Sequence, residues 1–337
     1  MNWHALLPAL PTTPSVPARY RDAGLFVLLA ALFGGSFVAI KTGLRELPPV
    51  LFAGLRFDLA AVVLLAYVGL THPRTAWLPR TRGDLLGIAT AAGFLVFLNN
   101  GLLFLGQGTT TPAAASVMYG LNPVLAPVFA WWLVGERLSR IGAVGIGVAL
   151  GGVVLIVQPS PATVADAGAV GQVLVLGAAA AVAFGSVLLQ RVEPRMGSVP
   201  LTAWAMVGGA VLLHGASLAV GESPGSVVGI GPATVASLLV VGIPSTAVAY
   251  AIYFGLIDRV GPVRANLVAY AVPVFAALLG WLVLGSTASP WTVVGFLVVV
   301  VGFALVERDT VREEIGRLRR RARGTAASPT AAPPCDD

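Results

Sequence analysis

Pro112 to Gly152 reads PAAASVMYGLNPVLAPVFAWWLVGERLSRIGAVGIGVALGG, and Pro262 to Gly302 reads PVRANLVAYAVPVFAALLGWLVLGSTASPWTVVGFLVVVVG. Set 150 positions apart, the two align without a gap. Pro112/Pro262, Ala115/Ala265, Pro123/Pro273, Ala126/Ala276, Trp131/Trp281, Gly135/Gly285, Ser139/Ser289, Gly145/Gly295 and Gly152/Gly302 coincide. The register holds from 106 to 157 against 256 to 307, and Gly35-Ser36/Gly185-Ser186 carry it to the start of each half. Alanine and glycine matches come cheaply in an apolar chain. Paired prolines inside hydrophobic runs, followed at fixed distances by paired Trp and Gly, do not.

Composition places both copies in a membrane. Hydrophobic residues make up 57% of the chain and charged residues 11%, with a mean hydropathy of +0.87, whereas a soluble protein has about 25% charged residues. A crossing helix needs about 20 mainly apolar residues. Ten stretches qualify, near 24–43, 50–70, 85–105, 112–134, 140–158, 169–190, 200–220, 232–257, 262–284 and 290–306. The alternating pattern of a β-barrel is absent, so the expected fold class is an all-α integral membrane protein.

The net charge of +6 does not point to nucleic acid, because the basic residues occupy alternate loops. With a cytoplasmic N-terminus, 18 of the 21 basic residues lie inside, Lys41 and Arg45 outside, and Arg56 within a span. That bias predicts ten transmembrane helices with both termini cytoplasmic, in a cell (inner) membrane. Each five-helix half has an odd number of spans, so the two repeats are inverted. Inverted repeats with sites at the midplane are a mark of secondary transporters, and the inversion supplies two near-equivalent states, one open to each side. The expected organisation is a cytoplasmic tail over 1–23, a first repeat over 24–160, a second over 161–307 and a basic cytoplasmic tail over 308–337, whose Glu307–Arg323 stretch is helix-compatible.

Several motifs then carry a resemblance: Phe33-Gly34-Gly35-Ser36-Phe37-Val38 through Lys41, Pro48-Pro49 followed by Arg56-Phe57, Pro112-Ala113-Ala114, and Pro123 followed by Gly135-Glu136. In order and spacing the chain from 24 to 307 resembles the ten-helix, EamA-type branch of the drug/metabolite transporter superfamily. It departs from that pattern where Gly285-Ser286 replaces a second Gly-Glu and where Phe33 stands for a common Trp. The resemblance implies a secondary carrier, usually an exporter of amino acids or other small metabolites.

Chemistry-bearing residues are few. Arg56 and Asp58 lie about 9 and 12 Å into the second span, counted from its start, where ionisable groups are costly and face a cavity or a partner. Arg56 reads either as an anion anchor or as a clamp on neighbouring helices; Asp58 reads as a proton carrier or as a neutral buried acid. Two residues apart, they point to different sides and do not pair. Pro123 and Pro273 should kink matched helices and expose carbonyls. Around them lie Ser116, Tyr119 and Asn122 on one helix and Asn266 and Tyr270 on its counterpart. Asn99 and Asn100 sit on the third span, and Ser245, Thr246, Tyr250 and Tyr253 on the eighth, with Asn100 and Tyr250 equivalent by the repeat. Interhelical hydrogen bonding accounts for these polar residues as well as solute binding does. His214 reads as an interfacial histidine or a coupling group, and Lys41 as a snorkelling end or an attractor of anions.

The expected partners are a small-molecule solute and membrane lipid, with no nucleic acid, no cofactor and no metal; homodimerisation stays open. An intramembrane enzyme on lipid or isoprenoid substrates would need clustered acids or histidines at one interface, and a channel or scramblase is the remaining alternative.

Overall fold

The computed structural model describes residues 18–136, 139–158, 167–250, 252–253, 256, 267–306 and 308, and every regular element among them is helical. The first half contains α1 (Ala18–Gly43), α2 (Pro49–Thr71), a single turn α3 (Arg74–Trp77), α4 (Arg82–Thr90), α5 (Asn99–Thr109), α6 (Pro112–Tyr119), α7 (Asn122–Val134) and α8 (Arg140–Val157). The second contains α9 (Ala167–Val192), α10 (Ser198–Ala219), α11 (Pro232–Gly242), α12 (Val268–Leu284) and α13 (Pro290–Val306). Seven helical segments are long and apolar enough to cross a bilayer, and Pro232–Val248, Val268–Leu284 and Pro290–Val306 are shorter apolar ones. Together they make the ten spans of a duplicated, multi-pass all-α protein. Its outward-facing surface is studded with Val62, Trp131, Val211, Trp281 and Leu282, as lipid contact requires.

Matched residues end and start matched helices. Gly135 closes α7 and Gly285 closes α12, both in the left-handed region at φ 74° and 65° that glycine adopts without strain. Ser139 then caps α8 by accepting from Gly142 N at 2.9 Å, and Ser289 accepts from Thr292 N at 3.0 Å as α13 begins.

Packing repeats across the same relation. α1 lies against α12 and α11, and its counterpart α9 lies against their counterparts α7 and α4. The self-paired contacts are α2 with α10 and α8 with α13. In the second, a Cβ on Gly145 would fall 2.6 Å from Gly302 O, and one on Gly152 would fall 2.7 Å from Gly295 O. The reverse holds from Gly295 and Gly302, 2.6 Å from Gly152 O and Gly145 O. Only hydrogen fits at all four positions, and the backbones touch as in other small-residue membrane seams.

Two spans are not the uniform helices expected. The third continues from α4 into α5 through a π-helical segment, π1 (Ala91–Leu98), and the eighth continues from α11 through π2 (Ile243–Val248). These stretches overlap at the 150-residue offset. The fourth span is interrupted at Gly120-Leu121, so Pro123 begins α7 just after a break, whereas Pro273 lies inside α12. A proline tolerates the first helical turn because its missing donor is unneeded there. At its start α1 begins at Ala18, within the stretch read as tail. Residues 159–166, Asn266, Glu307 and the basic stretch from 309 onward lie outside the described residues.

Candidate functional site

The site begins with one arginine that α2 carries into the bundle. Arg56 is buried, and its Nε donates to Thr246 Oγ1 at 2.9 Å while its Nη1 donates to Asn100 Oδ1 at 3.1 Å. Thr246 belongs to π2, and Asn100 follows π1. The widened turns explain how these side chains are held, since a π segment diverts carbonyls from the regular ladder. Asn100 Nδ2 donates to Leu95 O and Val96 O, and Thr246 Oγ1 donates to Val241 O at 2.7 Å. Each group that receives Arg56 is therefore fixed by its own helix, one from each half of the chain.

Aromatic groups complete the surroundings. The guanidinium carbon stands 5.0 Å from the Phe57 ring centre and 5.8 Å from that of Phe104, distances at which ring faces attract a cation. Tyr119 and Tyr250 both lie within electrostatic reach of Arg56, and Asn99 interacts with Tyr119. Phe37 meets Tyr119 edge-on at 6.0 Å, and Phe33 meets Tyr250 at 6.3 Å, so α1 walls the cluster. Among the described residues no carboxylate lies within 4.0 Å of Arg56. Among the described residues two of its five N–H groups are engaged, in the bonds above, which leaves three for a ligand.

The other expected site residues separate into groups. Asn99, Asn100, Tyr119 and Tyr250 gather around Arg56. Ser116 is buried and donates to Ala113 O of its own helix at 2.8 Å, and Asn122 donates to Tyr119 O across the break between α6 and α7. Tyr270 packs on Phe303 of α13, ring centres 4.3 Å apart.

Asp58 faces away from this cluster and meets α10 instead. Its Oδ2 is 2.7 Å from His214 Nε2, and both side chains are partly exposed along the α2–α10 seam. Gly54, one turn before Asp58, makes room for the ring; a Cβ there would lie 2.8 Å from His214 Cε1. His214 is therefore a paired histidine. A small residue and an acid four positions apart on one helix face were the available signal, but the partner lies 156 residues away.

Three acids outside the expected set tie helix ends together. Glu222, after α10, accepts from Val50 N at 3.1 Å, Leu51 N at 2.7 Å and Ser217 Oγ at 2.8 Å, capping α2 with a negative charge at its positive end. Asp84 forms a capping box with Thr81 and accepts from Arg195 N and Met196 N, both at 2.9 Å, joining α4 to the loop before α10. Glu46 accepts from Gly231 N at 2.7 Å, and the Thr234 side chain and that amide together hold its carboxyl below the usual range.

At the end of the bundle that carries Lys41, a cavity of about 550 Å³ opens between the ends of α1, α5, α9, α12 and α13. Lys41 Nζ donates to Gln107 O at 2.9 Å and Gly108 O at 2.8 Å, the last carbonyls of α5. Arg56 does not line this cavity. No group of three or more metal-ligating side chains occurs among the described residues.

Comparison with known proteins agrees with this architecture. The model of the EamA-like transporter family matches residues 23–158 and again 169–308. An "Uncharacterized transporter" of Archaeoglobus fulgidus is 30% identical over 84% of this chain and 98% of its own length. The "Uncharacterized inner membrane transporter YedA" of Escherichia coli (strain K12) is 29% identical over 82% of this chain and 88% of its own. A protein of Salmonella typhimurium described as a "Probable amino-acid metabolite efflux pump" is 27% identical over 84% and 93%. One solved crystal structure, 21% identical, superposes with a TM-score of 0.60 over 87% of this chain and 99% of that one, a likeness of fold alone.

Proposed function

The chain belongs to the EamA-like transporter family, and on that premise we propose that it is a secondary active transporter that exports a small polar metabolite bearing a carboxylate, such as an amino acid, by alternating access. The observation that carries the substrate class is Arg56. A buried guanidinium with no carboxylate at hand among the described residues is an expensive arrangement, since an uncompensated buried charge costs about 3–5 kcal/mol. Two ring faces and two neutral acceptors offset part of that cost. A solute carboxylate would supply the missing counter-charge through the three remaining donors.

The position of the network suits the mechanism. Thr246 and Asn100 belong to different halves, so rocking one half against the other stretches the bonds that hold Arg56. A bound anion would offer replacements for them and so couple binding to the change of state. Asp58, paired with His214 on the same helix as Arg56, is the group we assign to proton coupling, and no enzymatic step is assigned to the chain. The arginine bias of alternate loops supports cytoplasmic termini, and the relatedness to an inner membrane transporter supports the same location here.

Counterflow in proteoliposomes tests the reading. Vesicles loaded with a mixed amino-acid pool should exchange labelled amino acids in the wild type but not their decarboxylated amines. Arg56→Gln should abolish the exchange while the purified protein keeps its elution profile and melting temperature. Unchanged exchange by well-folded Arg56→Gln would remove Arg56 from the site.

A further inference from the structure

The cavity at the Lys41 end has a chemistry of its own that the Arg56 network does not absorb. Two cations, Lys41 and Arg45, face it, and no acid among the described residues lines it. Lys41 and Arg45 act on each other electrostatically, so like charges are held near one another. Glu46, the acid next to Arg45 in sequence, is bound to the start of α11, and among the described residues no acid forms an ion pair with Arg45. Much of the rest of the wall is uncharged and polar: Thr110 and Thr292 are buried, and Ser286, Thr287 and Gln172 also line it. A volume near 550 Å³ falls in the range of small-molecule sites.

We propose that this cavity is a second binding site, a vestibule that takes the carboxylate of a small solute between Arg45 and Lys41. The inference rests on the carboxylate-solute reading of the central site and extends it with a separate station on the path. Lys41 has three N–H donors and spends two on the α5 carbonyls, leaving one directed elsewhere. Those carbonyls also offset part of its charge. The remaining positive field suits a singly charged carboxylate held by the Arg45 fork and one Lys41 donor, rather than a phosphate dianion. The Ser286 and Thr287 hydroxyls are then available to the polar remainder of the solute. Because the arginine distribution places this end outside, the vestibule would be the last station for an exported solute.

A labelling experiment isolates this cavity from the Arg56 site and needs neither transport nor known orientation. Thr287, on the cavity wall, is changed to Cys in a Cys335→Ala background, and the detergent-solubilised protein is labelled with a charged maleimide. Lactate, a singly charged carboxylate, should slow labelling, whereas its neutral analogue lactamide should not. Arg45→Gln, which breaks no hydrogen bond among the described residues, should raise the half-protecting lactate concentration by about tenfold or more. Arg56→Gln should leave protection intact. Protection that survives Arg45→Gln, equal protection by lactamide, or better protection by inorganic phosphate would overturn the proposal. Loss of exchange in Arg56→Gln with vestibule protection unchanged would separate the two sites, so each reading can fail without the other.

Discussion

Where α8 meets α13, each contact glycine has its sequence counterpart in the same seam, Gly145 with Gly295 and Gly152 with Gly302. Where α2 meets π2 and the start of α5, the repeat breaks down. The counterpart of Arg56 is Met206, that of Asp58 is Gly208, that of His214 is Leu64, and that of Thr246 is Val96. The difference follows from what each region does. A seam on the pseudo-twofold relation packs a backbone against its own copy, so a methyl added in either half meets the same obstruction. A polar centre obeys the opposite rule, because two equivalent arginines would crowd two buried charges into one space and repel. Backbone packing keeps the duplication visible, and solute chemistry erases it.

The largest expected effect would break the symmetric side. A Cβ on Gly302 would lie 2.5 Å from Ala149 N and 2.6 Å from Gly145 O, both backbone atoms that cannot step aside. Gly302→Leu should leave little folded protein, and Gly302→Ala should cost about 1–3 kcal/mol, the usual range for overpacking. Gly151→Ala, one position from the Gly152 contact but with nothing within 4 Å, should stay within about 0.5 kcal/mol of wild type. Thermal unfolding of the purified variants reads the contrast. Equal melting temperatures for Gly302→Ala and Gly151→Ala would show that the seam does not depend on close backbone approach.

The next effect is on function and would test the asymmetric side by restoring the repeat. Arg56→Met places the residue of position 206 at its counterpart. Replacing buried ionic groups with well-packed apolar ones is often neutral or stabilising, so the melting temperature should hold or rise. Solute affinity should fall by the cost of leaving a carboxylate unpaired, about 2–5 kcal/mol, or roughly 30-fold to several thousandfold. A variant that both unfolds and loses transport would make Arg56 a clamp instead of an anchor. Asp58→Asn should leave counterflow in place while removing the response of net flux to an imposed pH gradient, and retained gradient-driven accumulation would take the proton away from Asp58.

The two regions were not equally legible in the sequence. Span number, the duplication, the Gly135/Gly285 stops and the Ser139/Ser289 starts all rest on local rules: hydropathy over a window, left-handed glycine, a side-chain cap. Arg56 and the polar residues around it could be singled out because ionisable groups in a span are rare. Their partners could not. Arg56 and Thr246 are 190 residues apart, and Asp58 and His214 are 156 apart, so nothing local joins them. The π segments were equally hidden, because Ala91–Leu98 reads as an ordinary apolar helix until packing selects the wider turn. Glu222 carried no local signal, since its capping role depends on α2 starting beside the end of α10.

A smaller effect follows from Glu222, a tie between the counterparts α2 and α10 that has no repeat equivalent, since position 72 is His72. Glu222→Gln keeps the shape but removes the charge that faces the first amides of α2, and should lower stability by about 1 kcal/mol. Glu222→Ala should cost more by also leaving Val50 N and Leu51 N without their acceptor.

The smallest is a pH effect at Glu46, whose exposed carboxylate joins the loop after α1 to the start of α11. The Thr234 side chain and Gly231 N stabilise its ionised form, so its folded pKa lies below the unfolded value. The sign follows from proton counting. Above the unfolded value, about 4.3, both states are ionised and the stabilisation is complete; as pH falls below it, the unfolded state takes up the proton first, and the stabilisation fades until the folded carboxyl is protonated too. Glu46→Gln should therefore flatten the acid side of the melting-temperature profile below about pH 4.5 and leave the neutral region parallel to wild type. Comparable flattening by Glu136→Gln, an acid that takes no part in these ties, would show the slope to be a general charge effect rather than the Glu46 contact.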